Sequence, residues 1–159
     1  MNNIHPTAII YPNVIMGEGN TIGAYCIIGS TAEWKGKEGT GNVIIGNNNT
    51  ITGLVTIDSG VNNATQIGDN CYIMKHAHIG HDAILSDNVT LSCGAKIGGH
   101  SIIARNCNIG LNAVIHQKVI IPEGCMIGAS AFVGKKSILK PFYKYAGVPV
   151  RELGENIKL

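Results

Sequence analysis

Histidines are concentrated in one part of this sequence: five of the six lie between residues 76 and 116. A neutral imidazole can take a proton from an amine or a hydroxyl group near neutral pH. Asp82 directly follows His81, where its carboxylate could orient the imidazole. Gly99 has no side chain to block a substrate, so its backbone N–H could stabilise an oxyanion. A single histidine in a turn is usually only solvated, so these residues indicate a site only if the fold brings them together.

A period of six sets the architecture that must position these side chains. Branched aliphatic residues occupy every sixth position over the second half of the chain: Ile67, Ile73, Ile79, Leu85, Leu91, Ile97, Ile103, Ile109, Ile115, Ile121, Ile127 and Val133. A small residue follows four positions after each, from Cys71 to Ser137. This pattern is typical of short strands that each place one aliphatic residue in a shared core and then turn. Stacked repeats of this kind form a solenoid.

The hexad phase is interrupted twice and then ends. Residues 30–42 do not follow it, and four extra residues enter near 59–65. We expect both segments to be loops that leave the coil, and loops on a rigid scaffold often carry binding residues. The first loop contains Trp34, whose ring could stack on a substrate or simply cover the loop. We expect residues 1–139 to form the solenoid and residues 140–159 to form a C-terminal tail.

Each repeat begins with an aliphatic residue, often continues with glycine and has a small residue at its fifth position. This pattern resembles the repeat of the hexapeptide-repeat acyltransferases. The resemblance implies an all-β fold, a single-stranded left-handed parallel β-helix. Three hexads would form one triangular coil, and the twenty hexads that we count would give six to seven coils.

A coil of three hexads places residues that are far apart in the chain side by side. The hexads that begin at Ile79, Ile97 and Ile115 are one coil apart and each contain a histidine, so His81, His100 and His116 should line one corner of the solenoid. Successive coils should be about 4.8 Å apart, the usual spacing of hydrogen-bonded strands. In this arrangement His81 shares a column with Gly99 and Gln117.

Outward isoleucines recur once per coil on the next face: Ile84, Ile102, Ile120 and Ile138. An exposed apolar strip of this kind usually marks an interface. We therefore expect a subunit contact that places the histidine corner in a cleft between chains. The resemblance implies that the assembly is a homotrimer.

Three histidine motifs resemble those of the UDP-N-acetylglucosamine acyltransferases of lipid A biosynthesis: M-K-H-A-H-I-G-H-D at 74–82, I-G-G-H at 97–100 and V-I-H-Q at 114–117. The resemblance implies that His81 is a general base, that Asp82 orients it and that Gly99 supplies an oxyanion hole. It also implies substrate contacts for six further residues: His78, His100, His116, Gln117, Lys35 and Glu33.

The reaction that this resemblance implies is transfer of an acyl group from a thioester donor to an amino group of a sugar, such as a nucleotide-linked sugar. The donor would be acetyl-CoA or an acyl carrier protein, with no tightly bound cofactor and no metal, in lipopolysaccharide or surface glycan biosynthesis. The tail at 147–156, G-V-P-V-R-E-L-G-E-N, is also similar to that of sugar acetyltransferases that use acetyl-CoA. Val148 replaces an asparagine that contacts the nucleotide sugar in the family. We expect this chain to lack the C-terminal helical domain of that family.

Three other functions fit the sequence. A sugar O-acetyltransferase would use the same scaffold and base. A γ-class carbonic anhydrase holds zinc with three histidines, and His76 and His81 have its H-x-x-x-x-H spacing. The only histidine before these is His5, so that ligand set is incomplete. A non-catalytic trimeric β-helix is the third alternative.

Composition excludes several classes of protein. The formal charge is +2 and basic residues are not clustered, so we expect no nucleic-acid binding. No segment is long and apolar enough to span a membrane, and residues 1–7 lack the features of a signal peptide. We therefore expect a cytoplasmic protein without membrane insertion. The five cysteines form no C-x-x-C pair, and four of them occupy the small inward position, which favours core packing.

Overall fold

Short strands make up the regular structure of this chain. The computed structural model describes residues 1–157, which form 22 strands and no helix that could cross a membrane. The strands are β1 (Asn3–Ile4), β2 (Ile9–Ile10), β3 (Val14–Met16), β4 (Thr21–Ala24), β5 (Ile27–Ser30), β6 (Val43–Ile45), β7 (Thr50–Gly53), β8 (Thr56–Asp58), β9 (Thr65–Ile67), β10 (Tyr72–Ile73), β11 (His78–Ile79), β12 (Ile84–Leu85), β13 (Thr90–Leu91), β14 (Lys96–Ile97), β15 (Ile102–Ile103), β16 (Asn108–Ile109), β17 (Val114–Ile115), β18 (Ile120–Ile121), β19 (Met126–Ile127), β20 (Phe132–Val133), β21 (Tyr143–Ala146) and β22 (Arg151–Glu155).

The strands pair in three sheets, which are the three sides of the solenoid. The first sheet has the order β1-β4-β7-β10-β13-β16-β19-β21-β22, and the second has the order β2-β5-β8-β11-β14-β17-β20. The third has the order β18-β15-β12-β9-β6-β3. In the regular part, paired residues are three hexads apart, as in the series Ile79, Ile97 and Ile115. The predicted coil of three hexads is therefore present.

The aliphatic residue of each hexad fills a continuous core. From Ile67 to Val133 every in-phase aliphatic side chain is buried. Burying each one contributes roughly 1.5–3 kcal/mol relative to leaving it exposed. The small residues pack beside them at the corners. Burial raises the pKa of Cys71 to about 11 and that of Cys107 to about 12, so these thiols stay protonated and serve as packing residues.

The corners use a left-handed backbone conformation at a regular position. The residue three places after the aliphatic one has a positive φ from Asn70 to Ser130, between 52° and 62° except at Gly94 (74°) and Gly124 (67°): Asn70, His76, Asp82, Asn88, Gly94, His100, Asn106, Asn112, Lys118, Gly124 and Ser130. Asparagine tolerates this conformation better than most residues with a side chain. Asp82 and His100 therefore occupy equivalent corner positions on successive coils.

Both predicted loops leave the solenoid at one corner. Residues 31–42 connect β5 to β6, and residues 59–64 connect β8 to β9. Each connection runs from the second sheet to the third. His81 and His100 lie in the same connection on the next two coils. The loops and the histidines thus share a corner.

The predicted tail adds a layer to the solenoid. β21 pairs with β19 as the eighth parallel strand of the first sheet, and the buried Tyr145 takes the place of Ile127 on the preceding coil. β22 then returns antiparallel to β21. The predicted count of six to seven coils omits this layer, because Tyr145 occupies a position where the repeat has an aliphatic residue. Residues 158 and 159 of the predicted tail lie outside the described residues.

Candidate active site

The corner between the second and third sheets brings the predicted catalytic residues together. His81 and Asp82 follow β11, and Gly99 and His100 follow β14 on the next coil. The backbone N–H of His100 donates to the carbonyl of His81 at 2.9 Å, which holds the two coils in register at this point. Side chains that are a whole coil apart in the chain therefore meet.

His81 and Asp82 form a buried pair. The two residues are 8% and 5% exposed, and Nδ1 of the imidazole lies 2.8 Å from Oδ2 of the carboxylate. An ionised carboxylate can only accept hydrogen bonds, so Nδ1 carries the proton and Nε2 of the neutral ring keeps a lone pair. His81 is thus held in the tautomer that a general base requires.

The second loop surrounds the Asp82 carboxylate with backbone donors. The N–H of Val61 donates to Oδ2 at 3.0 Å, and those of Asn62 and Asn63 donate to Oδ1 at 2.8 and 2.5 Å. Burial raises the pKa of Asp82, but the hydrogen bonds from His81 and from these N–H groups outweigh it and bring the pKa to about 2. Asp82 is therefore ionised near neutral pH.

Gly99 offers a backbone N–H beside the imidazole of His81. In this corner Gly98, His100 and Ser101 donate backbone hydrogen bonds, whereas the N–H of Gly99 has no backbone acceptor among residues 1–157. A Cβ at position 99 would lie 2.7 Å from Nε2 of His81. The ring therefore occupies the space that any side chain at position 99 would need. A free N–H next to a basic nitrogen is the arrangement that acyl transfer uses.

Two aromatic rings pack around His81. Trp34 stacks on the imidazole with a centroid distance of 4.9 Å and an interplanar angle of 25°. His100 meets His81 edge-on at 5.0 Å and 89°. The Nζ of Lys37 lies 4.8 Å from the Trp34 ring on the same loop. The sequence left two interpretations open for Trp34, and in the structure its ring covers one face of His81.

A second pair of a histidine and a carboxylate lies at the same corner. Nδ1 of His78 lies 2.8 Å from Oγ1 of Thr56, and Nε2 lies 3.9 Å from Oδ2 of Asp58. Asp58 is buried, and burial raises its pKa, although the neighbouring His78 opposes the shift. The sequence pattern alone predicts no role for Asp58. Asp58 directly follows Ile57, an aliphatic residue of the hexad pattern, and this spacing could have placed it at the corner between the second and third sheets.

Glu33 and Lys35 lie in the loop that carries Trp34. Both side chains are exposed. The backbone N–H of Glu33 donates to Oδ2 of Asp58 at 3.3 Å, so it is the backbone of this loop that is attached to the corner. The substrate contacts predicted for the two side chains stay predictions.

His116 and Gln117 lie one coil beyond the histidine pair. The His116 ring packs edge-on against Phe132 at 6.2 Å, and its Nδ1 is 3.1 Å from the carbonyl oxygen of Gln117. Gln117 is exposed. Both residues are at the predicted corner, but at the rim of the cluster, and their predicted substrate contacts stay predictions.

The cluster also has the composition of a metal site. Ligand atoms of His81, Asp82 and His100 lie within 4.8 Å of one another. Each Asp82 oxygen already accepts two hydrogen bonds, so a metal ion would have to displace some of them. His76, the other histidine of the carbonic anhydrase spacing, is exposed at the corner after β10. The geometry therefore fits proton transfer better than zinc binding.

A cavity of about 630 Å³ lies away from this corner, on the outer face of the first sheet. Its lining is rich in amide side chains and includes one lysine: Asn88, Thr90, Asn106, Cys107, Asn108, Met126, Lys144, Asn156 and Ile157. It contains none of the predicted site residues.

Comparison with known proteins by sequence identifies the repeat. Residues 64–99 match the family described as bacterial transferase hexapeptide, with six repeats. The acyl-[acyl-carrier-protein]–UDP-N-acetylglucosamine O-acyltransferase of Campylobacter lari is 43% identical over 86 residues, which are 50% of this chain and 32% of that protein. That of Paraburkholderia phytofirmans is 39% identical over 71 residues, 42% of this chain and 27% of that protein. The matches thus cover 32% and 27% of the length of these two curated relatives.

Comparison by structure covers nearly the whole chain. A UDP-N-acetylglucosamine acyltransferase from Bacteroides fragilis superposes with a TM-score of 0.90 at 30% identity, over 98% of this chain and 62% of that one. The enzyme from Campylobacter jejuni gives a TM-score of 0.75 at 26% identity, over 97% and 75%. These findings confirm the resemblance to hexapeptide-repeat acyltransferases and the predicted all-β left-handed parallel β-helix.

Proposed function

We propose that this hexapeptide-repeat protein is an acyltransferase that moves an acyl group from a thioester donor to an amino group of a sugar, with His81 as the general base. The observation that carries the proposal is the geometry around Nε2 of His81. Nδ1 of the same ring is bound to an ionised Asp82, and the N–H of Gly99, without a backbone acceptor among residues 1–157, is next to the ring. We propose that the lone pair of Nε2 and this N–H act on the same bound thioester.

The proposed reaction assigns one role to each of these three groups. The acceptor nitrogen attacks the thioester carbonyl carbon while Nε2 of His81 takes its proton. The carbonyl oxygen becomes an oxyanion, which the N–H of Gly99 stabilises. When the carbon–sulfur bond breaks, the imidazolium returns the proton to the departing thiolate. Asp82 stays ionised throughout and stabilises the positive charge on the ring.

The relatives support thioester-dependent acylation of a sugar nucleotide. Their names specify an acyl carrier protein, UDP-N-acetylglucosamine and transfer to oxygen. We propose a CoA or carrier-protein thioester as the co-substrate, without a tightly bound cofactor. Transfer to a sugar hydroxyl group is the second candidate, because these relatives are named O-acyltransferases. A cytoplasmic location and a role in surface glycan biosynthesis are part of the proposal.

Residues around the base would contact the acceptor and the donor. His78 and His100 lie beside His81 and are partly exposed, so each presents a ring nitrogen to a ligand. We propose that His116 and Gln117 extend this surface along the next coil. Glu33 and Lys35 would meet the sugar and its phosphates from the loop.

We propose a homotrimer, the assembly that the family resemblance implies, with its subunit contact on the third sheet. Ile84, Ile102 and Ile120 pair in register on its outer face, and exposure rises along the series to 62% at Ile120. Ile15 and Ile44 are exposed and paired on the same sheet towards the N-terminus. A row of exposed isoleucines beside the histidine corner supports burial against a second copy.

The proposed function is tested by product analysis with purified protein. Acetyl-CoA and an acyl carrier thioester are each incubated with UDP-N-acetylglucosamine and with UDP-glucosamine, and products are detected by mass spectrometry. Hydroxylamine releases an acyl group from an ester but leaves an amide intact, so it separates transfer to oxygen from transfer to nitrogen. His81→Ala should abolish turnover while the trimer persists in analytical ultracentrifugation. If wild-type turnover is detected and His81→Ala does not lower it, the proposed base is wrong.

A further inference from the structure

Asp58 is a buried carboxylate that the proposed mechanism does not use. It ends β8 at the catalytic corner, and its side chain is 4% exposed. Its position in the corner matches that of Gly80 on the next coil, directly before His81. Burial raises the pKa of Asp58, the opposite of the net shift at Asp82. A buried carboxylate needs hydrogen-bond donors to offset its loss of water.

The described residues supply few donors to this carboxylate. Oδ2 accepts one long hydrogen bond, from the N–H of Glu33 at 3.3 Å. Nε2 of His78 lies 3.9 Å from Oδ2, which is too far for a hydrogen bond. Thr56 holds the His78 ring in this orientation through Nδ1. Oδ2 and Nε2 are therefore neighbours without a direct hydrogen bond.

The separation between Asp58 and His78 suits a single bridging atom. An atom about 2.8 Å from both Oδ2 and Nε2 would lie about 2 Å off the line that joins them. When Asp58 is ionised, such an atom must carry a hydrogen, because the carboxylate can then only accept. A sugar hydroxyl or amine meets this requirement, whereas a carbonyl or phosphate oxygen does not. The His78 side chain is 31% exposed, so a ligand can reach the gap from that side.

We propose that Asp58 determines acceptor specificity by binding, together with His78, a hydrogen-bond donor of the sugar next to the group that is acylated. This inference rests on the proposed function, because it assumes that the acceptor binds at the His81 corner. The inference adds Asp58 to the residues that bind the acceptor. The acceptor must then present a hydrogen-bond donor to Asp58 in addition to the nucleophile that faces His81.

A purely structural role for Asp58 makes a different prediction. Through the N–H of Glu33, the carboxylate holds the loop that places Trp34 over His81. Asp58→Asn keeps an oxygen that can accept this hydrogen bond but removes the negative charge. Trp34 is the only tryptophan in the sequence, so its fluorescence emission reports directly whether the loop is still in place.

The experiment measures the dissociation constants of UDP-N-acetylglucosamine and UDP-glucosamine for wild-type protein, Asp58→Asn and a control, Asp87→Asn. Asp87 is a carboxylate at the corner between the third and first sheets, and it accepts a hydrogen bond from the N–H of Asp69. We expect Asp58→Asn to weaken binding of the acceptor about 10- to 100-fold, as expected for a hydrogen bond to a charged group. Trp34 emission and the KM for the thioester should not change, and the control should bind like wild type.

Two results would overturn the inference. One is unchanged acceptor affinity in Asp58→Asn. The other is a parallel loss of acceptor and thioester affinity with a shift in Trp34 emission, which would assign Asp58 to the loop alone. A wild-type protein that binds the sugar nucleotide but transfers no acyl group would refute the proposed function, and the affinity comparison would still decide the role of Asp58. Binding of neither sugar nucleotide to the wild type would refute both.

Discussion

Gly99→Ala is the substitution whose effect follows most directly from the geometry of the corner. The new Cβ would lie 2.7 Å from Nε2 of His81 and 2.8 Å from Cε1. Non-bonded atoms of this size pack about 3.5–4.0 Å apart, so the imidazole must move by about 1 Å. One face of the ring is covered by Trp34, and its Nδ1 is bound to Asp82. The shift therefore disturbs the stack, the hydrogen bond or both.

We expect the displaced imidazole of Gly99→Ala to cause a large loss of activity and a small loss of stability. A displacement of about 1 Å at a catalytic group can lower the rate roughly 100-fold. We expect kcat/KM to fall by about that factor, which corresponds to about 2.7 kcal/mol of transition-state stabilisation. The measurement is steady-state acyl transfer, combined with Trp34 emission as a report on the stack and circular dichroism as a report on the fold.

Gly134→Ala is the matched control. The nearest atom to a Cβ at position 134 is at the edge of the Phe132 ring, 3.2 Å away, and this side chain can turn aside. We expect activity close to that of wild type. If Gly99→Ala kept activity within about threefold of wild type, the imidazole would not need its position beside Gly99, and the assignment of base and oxyanion donor would be wrong.

Three further predictions concern Asp82, the third sheet and the core. The pKa of Asp82 is lowered from 3.8 to about 2, so its contribution to stability is complete above about pH 5 and is lost as the pH falls through 2. The difference in thermal midpoint between wild type and Asp82→Asn should therefore be constant above pH 5 and shrink between pH 4 and 2; a constant difference down to pH 2 would contradict the depressed pKa. Ile120→Asp places a charge in the proposed interface and should give monomers in analytical ultracentrifugation, whereas Tyr72→Asp, at the equivalent exposed position on β10 of the first sheet, should stay trimeric. Ile97→Ala removes a fully buried side chain and should lower the free energy of unfolding by about 2–5 kcal/mol in urea titrations; a loss below about 1 kcal/mol would argue against a packed core at this coil.

The solenoid could be predicted from the sequence because its core is periodic. One aliphatic residue in each hexad and a fixed coil length are enough to place His81, Gly99 and His100 together. The corner position with a left-handed backbone also has a signal in the sequence, since asparagine recurs there at Asn70, Asn88 and Asn106. Where the hexad pattern is uninterrupted, the number of a residue in the sequence predicts the coil and the sheet on which it lies.

The parts that could not be predicted are those that leave the periodic pattern. The loop that carries Trp34 has no repeat, so nothing in the sequence specifies that its ring returns to cover His81. The same is true of residues 61–63, whose N–H groups surround Asp82. Tyr145 continues the core column one full coil after Ile127, and the spacing could have revealed it. An aromatic residue at an aliphatic position concealed that match.

The most direct test of the account is a crystal structure with a sugar nucleotide and a non-transferable thioester analogue bound. We predict that the acceptor nitrogen or oxygen lies within about 3.2 Å of Nε2 of His81, and that the acyl oxygen lies within about 3.1 Å of the N–H of Gly99. Ligands bound instead in the cavity of the first sheet, beside Asn88 and Asn106, would contradict the assignment of the histidine corner as the active site.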